Sequence, residues 1–344
     1  MKQAVLTAPN KIDLTETSEP KLKSPEDVLI QIRSVGVCGS DIHYYKHGRI
    51  GDQIIDFPFR VGHECSGQIV EIASSVNELK IGDRVAIDPL VSCGKCSECL
   101  KGRFHTCLNQ KFLGCPGQIE GALAEYITMP AECCYKIPGV LSYDQGVLAE
   151  PLSIGLHAVG FMNFNNVSSI AILGSGPIGL SVMLSAKAKG INKIFVTDLI
   201  DERLKIANEH GAAYTGNPEQ NDIITDIFDI EPGGVSVVFD CCGMQSAIDQ
   251  SIKLLKPGGQ LILVGIPEVD TVIFNPHLMR RKEISINNVR RQNGKMQEAI
   301  NLMSERKITN DFMITHNFPL TKTWEAFELV EHHKDGVIKA MINF

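Results

Sequence analysis

Along residues 1 to about 138, apolar and polar positions alternate in short runs: KQAVLT, DVLIQIRSV, GQIVEIASSV, DRVAIDP and LAEYITM, separated by Gly, Pro, Asn and Asp. Successive side chains of an extended strand point to opposite faces, so this period of two predicts half-buried strands. The turn residues between them predict an antiparallel β domain. From about Ser153 the rhythm lengthens. Apolar runs, SSIAIL, KIFVTD, SVVFDC and QLILVG, alternate with stretches of helical period, PIGLSVMLSAKAK, DERLKIANEH and QSAIDQSIKLLK. Strands that are apolar on both faces and separated by helices predict a parallel sheet wrapped by helices. Gly190, Gly211 and Pro257-Gly258-Gly259 stand where those helices should stop. After about Asn288 come two more helical stretches, NGKMQEAINLMSER and TWEAFELVEHH, and a strand-like VIKAMINF. This tail is too short to bury a core of its own and is expected to complete the first domain. The expected division is a first domain over 1–152, a second over 153–288, and a return segment over 289–344.

Composition narrows the partners more than the fold. The 344 residues suffice for two domains, and apolar (44%) and charged (21%) fractions are those of a globular protein. A net charge of -7 disfavours nucleic acid or an anionic membrane surface as the main partner. Arg280-Arg281-Lys282 and Arg290-Arg291 are too short to reverse that. No apolar run approaches the roughly 20 residues of a membrane span, and polar residues interrupt the N-terminus too early for a signal peptide. The expected location is the cytoplasm. Eleven cysteines in such a chain point to metal chemistry more than to disulfides.

Three groups of residues carry candidate chemistry. In GSGPIG, Gly174, Gly176 and Gly179 follow an apolar strand and open a helix, with Pro177 suited to its first turn and Ile178 between. Glycines there permit a tight turn and let a pyrophosphate approach the helix N-terminus, where unpaired N–H groups favour an anion. Asp198 ends the next strand about 20 residues on, where an acid would bind ribose hydroxyls and repel a 2'-phosphate, so NAD is preferred over NADP. Arg203 tempers this, since it could accommodate that phosphate or pack over the adenine. Val264, in QLILVG, completes the expected cofactor set. The second group is Cys93, Cys96, Cys99 and Cys107, whose C-x2-C-x2-C-x7-C spacing suits a closed tetrahedral shell around a structural zinc. An iron–sulfur cluster is the chemical competitor, but the sequence offers no second electron carrier. The third group begins in CGSDIHYYKHGRIG, residues 38–51, which gathers a thiol, a hydroxyl, a carboxylate, imidazoles and phenols. Cys38, His63 and a carboxylate, Glu64 or Glu150, could hold a second zinc with one position open. Singly, each has a plainer reading: a buried thiol, a satisfied histidine, a surface or capping acid.

Together these motifs resemble the zinc-dependent medium-chain alcohol dehydrogenases over essentially the whole chain, and most closely their sorbitol and xylitol (polyol) dehydrogenase subgroup. VCGSDIHYYKHGRIG, GHECSGQIVEIASSV, GDRVAIDP, the four-cysteine segment, EPLSIGLHA and GSGPIG with Asp198 carry the resemblance. It implies an α/β fold, a GroES-like antiparallel β catalytic domain plus a Rossmann doubly wound parallel sheet. It implies one catalytic and one structural zinc, with NAD as cofactor. Cys38 and His63 would be catalytic zinc ligands, Glu64 and Glu150 would share the remaining coordination directly or through water, and Ser40 and His43 would form a proton relay. Tyr44, Phe112 and Arg290 would line the substrate pocket. The implied activity is oxidation of a polyol hydroxyl by hydride transfer to NAD, in a homodimer or homotetramer. Two features depart from the subgroup: Val289-Arg290-Arg291 replaces a common Phe-Arg-Tyr, and LGCPGQIEG follows Phe112. They keep alive another hydroxylated substrate, such as threonine, a sugar acid like idonate, or a sugar alcohol phosphate. A zinc-free reductase and a non-catalytic NAD-binding protein on the same fold are the remaining alternatives.

Overall fold

The computed structural model describes residues 1–164 and 167–344. The chain forms two compact units, Met1–Glu150 together with Met296–Phe344, and Pro151–Lys295. The chain re-enters the first unit at Met296, later than the sequence reading of 289. The reason is that Ser285–Asn288 is still an edge strand of the second unit's sheet, and residues 289–295 leave from it. Among the described residues no helix is long and apolar enough to cross a membrane.

The first unit is built on a seven-stranded sheet. The long strand Asp27–Gly36 lies at its middle, pairing antiparallel with Glu64–Ile72 on one side and with Lys339–Asn343 on the other. Its alternating pattern is fulfilled: Val28, Ile30 and Ile32 are buried in an apolar core with Val85, Ile87, Leu123 and Phe327. The register brings Glu64 opposite Gly36 and Gly36 opposite Met341. Residues from the early chain, the middle and the extreme C-terminus thus meet on adjacent strands. Directly after the central strand comes the helix Gly39–His47, with Cys38 at its N-cap and Gly48 ending it in the left-handed conformation.

The second unit holds a six-stranded parallel sheet in the order Tyr214–Gly216, Ile194–Thr197, Ile170–Leu173, Val235–Asp240, Leu255–Leu263, Ser285–Asn288. Numbered along the unit this is 3-2-1-4-5-6, the doubly wound nucleotide-binding order. The strand Ile170–Leu173 and the strand Val235–Asp240 are wholly buried, as their unbroken apolar runs require. The order reverses between those two strands, which places Gly174 and Cys241 side by side at their C-terminal ends, the usual ligand position of such sheets.

Candidate metal centres and cofactor turn

Cys93, Cys96, Cys99 and Cys107 are held by a short helix, Ser97–Leu100, and the turn Phe104–Thr106, so the ligands come from one small lobe. Their four sulfurs lie within 4.8 Å of one another. The Cys96–Cys99 and Cys96–Cys107 separations are 3.6 and 3.8 Å. A disulfide would need about 2.0 Å, whereas tetrahedral bonds of about 2.3 Å to zinc put sulfurs about 3.8 Å apart. Backbone N–H groups point at the sulfurs: Cys93 N and Asn109 N donate to Cys107 Sγ at 3.3 and 3.4 Å, and Leu108 N donates to Cys96 Sγ at 3.4 Å. Such donors stabilise thiolates. The Lys95 N–H, ahead of the other contributions, pulls Cys93 down to about 6, while burial pushes Cys99 up to about 12. The residues fit a structural zinc.

The second cluster is assembled from distant segments. The ligand atoms of Cys38, His63 and Glu64 also lie within 4.8 Å of one another, with His63 and Glu64 buried. One thiol, one imidazole and one carboxylate form the donor set of a catalytic zinc with an open position. Asp41, left without a chemical role in the sequence reading, aligns two of these segments. Its Oδ2 accepts the Cys38 N–H at 3.2 Å, and its Oδ1 accepts the Gly62 N–H at 3.1 Å. The same Oδ1 stands 3.4 Å from His63 Nδ1. A carboxylate behind a histidine ligand fixes its tautomer and raises its basicity. Burial alone would depress the His63 pKa, but Asp41 and Cys38 reverse this and hold it well above the ordinary value. Glu150, 6% exposed in the first turn of the helix Ala149–Val159, is pushed by burial up to about 7, with His63 acting against this and Glu64 adding to it.

Lys339 was missed altogether. It is 1% exposed, and its Nζ donates to Glu64 at 2.8 and 2.5 Å and to the Val37 carbonyl at 3.2 Å. The signal was a lone cation inside the apolar run VIKAMINF, readable as a buried lysine only if that strand were known to be central.

Of the expected relay and substrate residues, Ser40 and His43 sit half-buried, three residues apart on the helix Gly39–His47. Tyr44 is buried, its hydroxyl 3.0 Å from Gln53 Oε1 and 3.9 Å from Cys115 Sγ. The Phe112 ring stands 5.5 Å from the His63 ring. Gly114 carries the chain against Gly62: at φ +74 a Cβ there would come within 3.0 Å of the Gly62 carbonyl. Cys115 and Gln118, which donates to its sulfur at 3.1 Å, were not anticipated beside Tyr44. Arg290 is exposed and belongs to the Pro151–Lys295 unit, so it is not among the residues that the first unit brings together.

In the second unit the glycine turn is tightly specified. Gly174 has φ +98, and a Cβ on Gly179 would fall 1.8 Å from the Gly174 carbonyl oxygen, so both positions require glycine. Gly176 caps the helix Pro177–Ala188, with Pro177 in its first turn followed by Ile178. Asp198 braces the turn, accepting from Ser175 N at 2.6 Å and Ile200 N at 2.9 Å. Arg203 reaches over Gly176, where its guanidinium lies 3.7 Å from a Cβ built on that glycine. Val264 N donates to the Asp240 carbonyl at 2.8 Å, at the C-terminal ends of neighbouring strands.

Comparison with known proteins agrees with this anatomy. The family described as "Alcohol dehydrogenase GroES-like domain" matches residues 24–139, and that described as "Zinc-binding dehydrogenase" matches residues 177–305. The chain is 35% identical to sorbitol dehydrogenase of Bacillus subtilis, over 99% of this chain and 97% of that protein. It is 36% identical to L-idonate 5-dehydrogenase of Vitis vinifera, over 93% of this chain and 88% of that one. A solved Escherichia coli alcohol dehydrogenase complexed with NADH superposes with a TM-score of 0.90 at 28% identity, covering 100% of this chain and 99% of that one.

Proposed function

The chain belongs to the zinc-binding dehydrogenases, and from that premise we propose that it oxidises a secondary hydroxyl of a polyol of the sorbitol or xylitol kind to the ketose, with NAD as hydride acceptor. The observation that carries the reading is the Cys38–His63–Glu64 cluster, with its histidine and carboxylate buried, in a chain similar throughout its length to a sorbitol dehydrogenase. When bound, zinc lowers the pKa of a coordinated hydroxyl and the nicotinamide accepts hydride.

The chain's own residues do the rest. Cys38 and His63 hold the metal, with Glu64 and Glu150 sharing its remaining protein coordination. Asp41 orients His63 from behind. Ser40 and His43, on one helical face, pass the released proton outward. The Phe112 ring keeps water from the His63 side of the site. Tyr44, whose hydroxyl donates to Gln53 Oε1, is the substrate contact assigned to the first unit, and Arg290 is the one assigned to the second. In that unit Gly174, Gly176 and Gly179 shape the turn, Pro177 opens the helix, and the N–H groups of Ile178 and Gly179 in its first turn would face the pyrophosphate, with Val264 completing the cofactor set. Asp198 favours the ribose hydroxyls of NAD over a 2'-phosphate, with Arg203 covering the turn. Cys93, Cys96, Cys99 and Cys107 hold the structural zinc.

A cytoplasmic homodimer or homotetramer completes the proposal. The exposed apolar Ile266, Val269 and Ile273, which follow the strand Leu255–Leu263, support self-association, and sedimentation of a monomer at micromolar concentration would contradict it. The similarity to L-idonate 5-dehydrogenase favours, as a second reading, a sugar acid as substrate. Initial rates with NAD separate the two. The proposal expects sorbitol, xylitol or galactitol to give the highest kcat/KM against threonine, idonate and phosphorylated polyols. Idonate ahead by tenfold or more would install the second reading, and no turnover of any of them despite bound zinc and NAD would overturn both.

A further inference from the structure

Lys339 uses all its hydrogen-bonding capacity beside the catalytic cluster. An ammonium has three protons, and Nζ has three acceptors: Glu64 Oε1 at 2.8 Å, Glu64 Oε2 at 2.5 Å and the Val37 carbonyl at 3.2 Å. Two of its partners therefore adjoin metal ligands, Val37 preceding Cys38 and Glu64 following His63. The slot is built for this contact. Gly36 sits between the two side chains, and a Cβ there would meet Glu64 Oε2 at 2.6 Å and Lys339 Cδ at 3.3 Å. With both partners 1% exposed, solvent screening is slight and the pair acts at near-full strength.

Glu64 is thus claimed twice, by a metal for which its oxygen lies in the ligand cluster, and by an ammonium that engages both its oxygens. We propose that Lys339 is a positioning residue that sets the affinity of the catalytic metal site by competing with the metal for the Glu64 carboxylate. The ammonium holds the cluster in shape before metal arrives and weakens the metal's hold afterwards, by taking part of the carboxylate's charge and by repelling a second cation. A purely architectural lysine would have the opposite signature, because removing it would loosen the ligands and weaken the metal. The sign of the effect therefore distinguishes the two roles. The inference rests on the zinc assignment made above.

The test uses holoenzyme with its catalytic ion exchanged for Co2+, titrated with a chelator while the visible cobalt absorption is followed. Lys339→Gln keeps donors toward Glu64 but removes the charge. It is expected to bind Co2+ tighter by roughly tenfold or more, the scale on which groups behind the ligands act, with a changed cobalt spectrum. Lys339→Arg, which keeps the charge, should return both readings to the wild-type values. An affinity in Lys339→Gln within twofold of wild type, or weaker, overturns the proposal. Should that variant be recovered unfolded, adding Lys339→Met to Glu64→Gln gives the complementary reading: with the carboxylate already neutral, removing the ammonium should tighten Co2+ by roughly tenfold or more relative to Glu64→Gln alone, and equal or weaker affinity overturns the proposal. Wild-type protein that binds metal only at the cysteine lobe would instead remove the zinc assignment on which the inference stands.

Discussion

The cysteine lobe and the Cys38–His63–Glu64 cluster are both candidate metal sites in the same unit, yet they are made in opposite ways. The lobe takes four ligands of one type from residues 93–107 and orients them with its own backbone N–H groups. The other cluster takes three ligand types from two separate segments, Cys38 from one and His63-Glu64 from the other, and strand pairing with the buried Asp41 carboxylate and Lys339 ammonium brings them together. A local site depends on loop conformation, whereas a dispersed one depends on the whole sheet. The closed thiolate shell leaves no vacancy for a substrate, and the mixed shell does. The first should therefore be felt mainly in stability, and the second mainly in turnover.

The largest effect that could break this contrast is on activity. Cys38→Ala or His63→Ala should lower kcat by about 10³-fold or more, as expected when several kcal/mol of metal-derived stabilisation are lost. Thermal unfolding should move little, and steady-state assays beside circular dichroism would check both. Next comes Lys339→Met, which leaves Glu64 as a buried, uncompensated carboxylate and should cost about 3–5 kcal/mol in denaturant unfolding of the metal-free protein. A loss below about 1 kcal/mol would mean the pair is not the cement of the dispersed site. Asp41→Asn should weaken catalytic metal binding by about 10- to 100-fold and leave the lobe's zinc in place, read by chelator competition.

The smallest effect lies away from both sites. Tyr45 is fully buried, with its hydroxyl donating to Glu328 at 2.6 Å and to the Asn10 carbonyl at 3.2 Å. Burial first, and then Glu328, push its pKa upward. A raised folded-state pKa gives stability that is fully present below the ordinary tyrosine value of about 10 and is lost as pH climbs above it. Tyr45→Phe should cost about 1 kcal/mol at neutral pH, and the difference from wild type should shrink in unfolding experiments above pH about 10.

The same contrast explains what could be read from the sequence. Periodicity separated the alternating strands of the first unit from the doubly apolar strands of the second, because each pattern follows from which faces are buried. The four cysteines stood out because their spacing is the site. The glycine turn was legible because the strand before it and Asp198 after it gave it context. Cys38 lies far enough from the adjacent His63 and Glu64 that spacing could not join them, and family resemblance was needed. Lys339 and Asp41 escaped for a related reason. The meaning of Lys339 comes from register, Gly36 opposite both Glu64 and Met341, and that of Asp41 from its contacts with Gly62 and His63, neither of which a local window contains. Gln118 and Cys115 lie in a loop whose path is fixed by the contact of Gly114 with Gly62, another long-range fact.

The most direct test of the two-centre account is to count zinc in wild type, Cys38→Ala and Cys93→Ser while measuring turnover and thermal unfolding on the same preparations. The account predicts two ions per chain in wild type, and one in Cys38→Ala, which should be inactive but unfold close to the wild-type temperature. It predicts one in Cys93→Ser, with unfolding shifted clearly downward. A single ion per wild-type chain, or a Cys38→Ala protein that keeps both its second zinc and its turnover, would contradict it.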